Sequence, residues 1–249
     1  MSSHTGKLYA ITGAASGIGY ATAALLAKHG ALLSLSDYHE GNLQKAEEEL
    51  SALTKKENLL FTVVDVRSTP NVNEWIQGTV KHFGRTIDGC ANIAGTRHTK
   101  TSFVENVTDE SFLEILEVNT VGVLRCLRAQ VQPGILSNPA SIVTVTSLLG
   151  LVGAPSESVY CASKHAVQAL VKCLSKEVSR KGIRCNSVAP GYTDTPLGRL
   201  SGVEDIWAPM TSLGRAGQPS EIGEAILWLL SPESSYVTGT TLRVEGGSE

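Results

Sequence analysis

The feature that most limits how this chain can fold is a repeated alternation. Short apolar runs rich in β-forming residues are followed by longer stretches with helical period. "KLYAIT" (7–12) reads as a strand and "GIGYATAALLAKHG" (17–30) as a helix closed by Gly30. "ALLSLS" (31–36), "LLFTVV" (59–64), "IDGCAN" (87–92), "SIVTVT" (141–146), "IRCNSV" (183–188) and "TLRV" (241–244) read as further strands. Helices are expected over 41–56, over 158–180, at about 220–230, and unbroken over 108–131. Another starts with Thr69 as N-cap and Pro70 as first helical residue and runs to Phe83. Strands that are apolar throughout, rather than at every second residue, are buried on both faces. The pattern predicts an α/β fold: a doubly wound parallel sheet with helices on both faces. No proline- or serine-rich linker, low-complexity tract or repeat divides the sequence, so residues 1–249 are expected to form a single domain.

Composition narrows the partners. Lys and Arg number 21 against 24 Asp and Glu, a net charge of −3. That balance argues against nucleic acid or an anionic membrane as partner. The start, "MSSHTGKLYAIT", lacks the apolar run of a signal peptide. No stretch reaches the roughly 18 apolar residues of a membrane span. The five cysteines are scattered and form no CxxC, so neither a disulfide framework nor a metal site is expected. A reduced, cytoplasmic compartment suits that usage.

Two local patterns carry chemistry. The first is "ITGAASGIGYAT", where Gly13, Gly17 and Gly19 lie between the first strand and the first helix. A glycine-rich turn there lets backbone N–H groups approach a pyrophosphate, and the helix N-terminus adds partial positive charge. It is no P-loop, because no GK[ST] follows. Asp37 ends the second strand, about 20 residues further on, where a carboxylate hydrogen-bonds a ribose 2′-hydroxyl and repels a 2′-phosphate. No Arg or Lys occupies Ala14-Ala15-Ser16, and Tyr38 and His39 follow Asp37, so NAD(H) is expected over NADP(H). The second pattern is "YCASK". Tyr160 and Lys164, at i and i+4, share one face of a helix. A lysine ammonium beside a phenol stabilises the phenolate, and a phenol whose pKa lies near 10 needs such help to act as a base.

The ordered set of TGxxxGxG, N-x-A-G after the fourth strand, serine after the fifth, YxxxK on the next helix and PG after the sixth resembles the short-chain dehydrogenase/reductase family over essentially the whole chain. The resemblance implies a Rossmann fold and a nicotinamide dinucleotide as cofactor. It implies that Gly13, Ser16, Gly17, Ile18 and Gly19 form the pyrophosphate loop, with Asp65 and Val66 near the adenine. Asn92, Ala94 and Gly95 match the family's NNAG stretch, with Ile93 in place of its second asparagine. Asn119, Ser147, Tyr160 and Lys164 match its four catalytic positions. Tyr160 and Lys164 also match cofactor contacts, and Pro190, Gly191, Thr193 and Thr195 match the segment at the nicotinamide amide. The ending "TGTTLRVEGG" is similar to the family's TGxxxxVDGG, with Glu245 for aspartate. A homotetramer or dimer is implied by the same resemblance. The sequence also resembles fungal members that act in alkaloid biosynthesis, a branch of secondary metabolism.

The expected activity is hydride transfer between NAD(H) and a secondary alcohol or ketone, with Tyr160 as acid/base, Lys164 lowering its pKa and Ser147 holding the substrate oxygen. Asn119 is expected to hold a water that passes protons to Lys164. Two rivals remain: an enzyme of the same fold recruited to non-redox or cyclisation chemistry, and a non-catalytic NAD-binding sensor or scaffold. Arg97 and Glu157 are candidate substrate contacts, whereas His98 and His165 are expected to pack or face solvent. The stretch 192–215 is expected to be a lid. Its Leu197, Leu200, Ile206, Trp207 and Met210 would close over a largely apolar substrate, opposite Leu148 and Leu149.

Overall fold

The computed structural model describes residues 3–99, 102–200 and 207–248. Seven strands form one sheet: β1 (Leu8–Thr12), β2 (Leu32–Asp37), β3 (Leu59–Val63), β4 (Ile87–Asn92), β5 (Leu136–Val145), β6 (Ile183–Pro190) and β7 (Thr241–Val244). Their order is β3-β2-β1-β4-β5-β6-β7 and every pairing is parallel. The order turns back between β1 and β4, and in open α/β sheets the crevice at that switch point, outside the strands' carboxyl ends, is where ligands bind.

The helices are α1 (Gly17–Lys28), α2 (Glu40–Ser51), α3 (Thr69–Phe83), α4 (Asp109–Leu116), α5 (Val123–Gln130), α6 (Ser158–Val178), the single turn α7 (Pro196–Arg199) and α8 (Pro219–Leu230). Alternate residues of a strand point to opposite faces, and β1 shows the consequence. Leu8 and Ala10 join the core under α3, α5 and α6, with Val72, Ile76, Cys126 and Val171. Tyr9 and Ile11 join the core on the other face, with Leu26 of α1, Leu50 of α2 and Ile226 of α8. Among the described residues no helix is long and apolar enough to cross a membrane.

The structure departs from the expected elements in four places. Helix α2 ends at Ser51 rather than at residue 56, and Lys56–Asn58 forms a separate 3-10 turn before β3. Helix α3 is capped by Ser68, whose hydroxyl accepts from the Asn71 N–H, so Thr69 is already helical. Both residues are good caps, and the one outside the first turn makes the bond. The stretch 108–131 is not one α-helix: Glu117–Gly122 winds as a π-helix between α4 and α5. Strand β5 begins at Leu136, before Pro139, rather than at Ser141. Pairing with β4 survives the proline through a register shift between Ile87 and Gly89.

Candidate active site

A cleft of about 520 Å³ lies along the carboxyl ends of the strands and is lined by residues from both halves of the sheet. Its floor starts at the glycine turn. Gly13 has φ +67 and Gly17 φ +50, both in the left-handed region that glycine adopts freely. A Cβ at residue 13 would lie 2.8 Å from the Ala94 backbone nitrogen, so the turn is packed directly on the chain that leaves β4. Thr12 makes the same join from its side chain. Its hydroxyl accepts from the Ile93 N–H at 3.0 Å and the Ala94 N–H at 3.1 Å. Helix α1 then opens with no capping side chain on Ser16 and no acidic residue in its first turn. Its first N–H groups therefore face the cleft with their partial positive charge uncompensated. Asp37 stands opposite, one carboxylate oxygen accepting from the Ala15 N–H at 3.1 Å and the other from the His39 N–H at 3.0 Å. A bare helix N-terminus, a glycine cradle and a fixed carboxylate at the end of β2 suit the pyrophosphate and ribose of a dinucleotide.

At the other end of the cleft stand Ser147, Tyr160 and Lys164. Ser147 caps the short turn after β5, its hydroxyl accepting from the Leu149 N–H at 3.1 Å. Lys164 is buried and donates to the Val145 carbonyl at 3.2 Å, which holds its Nζ 5.7 Å from the Tyr160 ring centre. Burial pushes the Lys164 ammonium down from its ordinary value to about 8. Burial also pushes the Tyr160 phenol up. The charge of Arg97 and a hydrogen bond with Ser147 pull it down, while the charges of Glu157 and Cys161 push it up again. A second cation, Arg97, thus acts on the phenol from outside the i, i+4 pair. The Arg97 guanidinium carbon lies 5.4 Å from the Tyr160 ring centre.

Most residues expected at the site do line this one cleft: Gly13, Ser16, Gly17, Ile18 and Gly19, then Asp37, Asp65 and Val66, then Ala94 and Gly95, then Pro190, Gly191, Thr193 and Thr195. Two expected residues do not. Asn92 is buried behind the wall, exchanging amide hydrogen bonds with Gln130 at 2.7 and 3.1 Å. Asn119 is fully buried in the π-helical turn. It accepts from the Thr96 N–H and donates to the Thr96 carbonyl, both at 2.8 Å, and donates to Ser163 at 3.1 Å. Its amide clamps the chain that follows Gly95, and its two N–H donors are engaged by Thr96 and Ser163. Asp65 lines the cleft, but both its oxygens accept from the Arg67 guanidinium at 2.8–3.0 Å.

Sequence reasoning missed several wall residues. Arg67 stacks 5.2 Å over Tyr38 and brings a cation near the ribose end. Glu114, Val118 and Ser248 also line the cleft without a motif that marks them, as does Tyr192 at the start of the expected lid. His98 is held by the Ser111 carbonyl and His165 by the Cys161 carbonyl, in keeping with packing roles. Of the expected lid, Leu197 and Trp207 line the cleft with Leu148 and Leu149 opposite. Leu200 and Met210 instead face solvent, 47% and 64% exposed, and Ile206 lies outside the described residues. Those two side chains are therefore not part of an apolar wall. The C-terminal turn straps this segment down: Ser212 and Leu213 N–H groups donate to the Gly247 and Gly246 carbonyls at 3.1 Å.

Comparison with known proteins agrees with this geometry. A family model described as enoyl-(acyl carrier protein) reductase matches residues 13–249. The chain is 37% identical over 256 residues to the short-chain dehydrogenase/reductase aba4 of Botryotinia fuckeliana, covering 98% of this chain and 96% of that one. It is 35% identical to the 3-oxoacyl-[acyl-carrier-protein] reductase FabG of Thermotoga maritima, covering 97% of both. Chanoclavine-I dehydrogenase easD of Claviceps purpurea is 34% identical, with 98% of each covered. Among solved structures, levodione reductase superposes with a TM-score of 0.90 at 31% identity, covering 98% of this chain and 97% of that one. Similarity at that level along nearly the full length of each partner shows that the chain belongs to the short-chain dehydrogenase/reductase family of oxidoreductases.

Proposed function

We propose that the chain acts as one domain and interconverts a secondary alcohol and a ketone, with NAD(H) as the preferred cofactor and Tyr160 as the acid/base. The observation that carries this reading is the meeting of Ser147, Tyr160 and Lys164 in the same cleft as the glycine turn and Asp37. Gly13, Ser16, Gly17, Ile18 and Gly19 would hold the pyrophosphate, and Asp37 the adenosine ribose. Val66, with Asp65 beside it, would border the adenine. Ala94, Gly95, Pro190, Gly191, Thr193 and Thr195 would border the nicotinamide half. When bound, the cofactor supplies or accepts the hydride.

The protein's own part is proton transfer and position. The Ser147 hydroxyl orients the substrate oxygen. Tyr160 gives that oxygen a proton in reduction and takes one from it in oxidation. Lys164, fixed by Val145, carries a positive charge below about pH 8 and would hold the nicotinamide ribose. Asn119 is a positioning residue that keeps the Gly95–Thr96 backbone against Ser163.

A homo-oligomer is part of the same reading. Leu113 of α4 and Leu124 of α5 are 62% and 42% exposed, which suits a face shared between copies. A monomer mass by light scattering at micromolar concentration would remove this element of the proposal.

The test is a panel of ketones offered to the purified chain with NADH and with NADPH. Higher kcat/KM with NADH is expected, and Asp37→Ser should narrow the gap. Equal efficiency with the two cofactors contradicts the role of Asp37. Tight NAD binding with no turnover on any ketone favours a sensor or scaffold instead.

A further inference from the structure

The wall beside Tyr160 contains a charged pair with a donor that acting on the phenol leaves unused. Arg97, in the chain after β4, and Glu157, at the start of α6, form an ion pair inside the cleft. Their side chains are only 12% and 11% exposed. The Glu157 carboxylate makes no cap to its own helix. It is delivered to this position by Ser156, whose φ of +61 is a left-handed conformation that non-glycine residues seldom adopt. One Arg97 donor is engaged by this carboxylate. Another, the Nε–H, is buried and has no acceptor among the described residues. Buried donors are almost always paired, so an orphan just beneath the surface of a cleft wall marks a group that a ligand completes when the Arg97 side chain turns toward it.

The pair also states what kind of ligand fits. Arginine and glutamate together are neutral, and Glu157 already faces the guanidinium. A second carboxylate brought to Arg97 would meet the charge of Glu157. A neutral oxygen acceptor meets only the free N–H. We propose that Arg97, oriented by Glu157, is a specificity residue whose Nε–H binds a second, neutral oxygen of the substrate — a carbonyl, ether or hydroxyl apart from the oxygen that reacts. The substrate class is then an oxygenated ketone or alcohol rather than a plain hydrocarbon one. This rests on the reading that Ser147 and Tyr160 handle the reacting oxygen.

The experiment compares two ketone scaffolds, cyclohexanone and 2-decalone, each plain and as methoxy derivatives substituted at successive ring positions, with NADH as reductant. An anionic control, 4-oxocyclohexanecarboxylate, joins the panel. The readout is the ratio of kcat/KM for the best methoxy ketone to that for its plain parent within one protein. A ratio of about tenfold to a hundredfold is expected for the natural chain, the weight of one charge-assisted hydrogen bond. Arg97→Lys keeps the cation beside Tyr160 but lacks the Nε–H, and it should bring the ratio close to one. Arg97→Met should do the same. A ratio near one in the natural chain, or an unchanged ratio in both variants, overturns the proposal while leaving the hydride-transfer reading intact. Preference for the keto acid over every methoxy ketone also overturns it. Absence of turnover on every ketone overturns the functional reading and this inference with it.

Discussion

At the scale of single residues, Tyr160, the proposed acid/base, is governed by its burial and by the charges of the Arg97–Glu157 pair beside it. Burial raises the Tyr160 pKa, Arg97 and Ser147 lower it, and Glu157 raises it. Alcohol oxidation needs the phenolate, so its rate climbs as pH rises through that pKa. Removing the Glu157 charge takes away a repulsion that disfavours the phenolate and frees Arg97 to act on it. Glu157→Gln should therefore move the acid limb of kcat/KM for oxidation to lower pH. Arg97→Met removes the stabilising cation and should move the limb to higher pH. Profiles measured on the two variants check both signs; shifts in the same direction would refute the assignment. The sequence marks Tyr160 and Lys164 because helical spacing makes them neighbours. Arg97 and Glu157 are separated by 60 positions and carry no motif. Their pairing depends on where the loop after β4 meets the start of α6, which no local pattern encodes.

Among elements, the turn Glu117–Gly122 decides the most. A π-helix leaves the apolar pattern of its neighbours almost unchanged, so residues 108–131 read as a single α-helix. The wider turn lets Asn119 point inward, where a helical asparagine would otherwise face solvent. It also brings Gly122 against β3's outgoing chain: a Cβ there would lie 2.9 Å from a Val66 methyl. Asn119→Ala leaves the Thr96 N–H and carbonyl without their buried partner. A loss of about 2–3 kcal/mol in unfolding free energy is expected from those two groups. Thermal or urea unfolding of the variant measures it, and an unchanged midpoint would show that Thr96 finds other partners. The strands and the helices of the two cores were legible because burial on both faces leaves continuous apolar runs. The start of β5 was not, because Pro139 cannot donate to a ladder and its strand continues only by a local shift of register.

For the whole molecule, the sheet order turns scattered residues into a site. β1 and β4 adjoin, so the glycine turn and Ile93–Ala94 pack together; β5 and the start of α6 bring Ser147 beside Tyr160. That gathering was legible from the βα alternation and the ordered motifs. Less legible was the composition of the substrate wall. Apolar residues in 192–215 suggested a closed hydrophobic lid, yet Leu200 and Met210 face solvent and a charged pair occupies the wall near Tyr160. A run of apolar letters states how much side chain is available to bury, not which way the loop turns it. In the proposed reaction a hydride passes between the nicotinamide and a carbonyl in this cleft, and Tyr160 moves the accompanying proton. Single-turnover reduction of a ketone by NADH in the natural chain and in Tyr160→Phe, with NADH affinity determined on both, decides it. A rate at least about a hundredfold lower is expected in the variant, with affinity nearly unchanged; turnover close to that of the natural chain would refute the role of Tyr160.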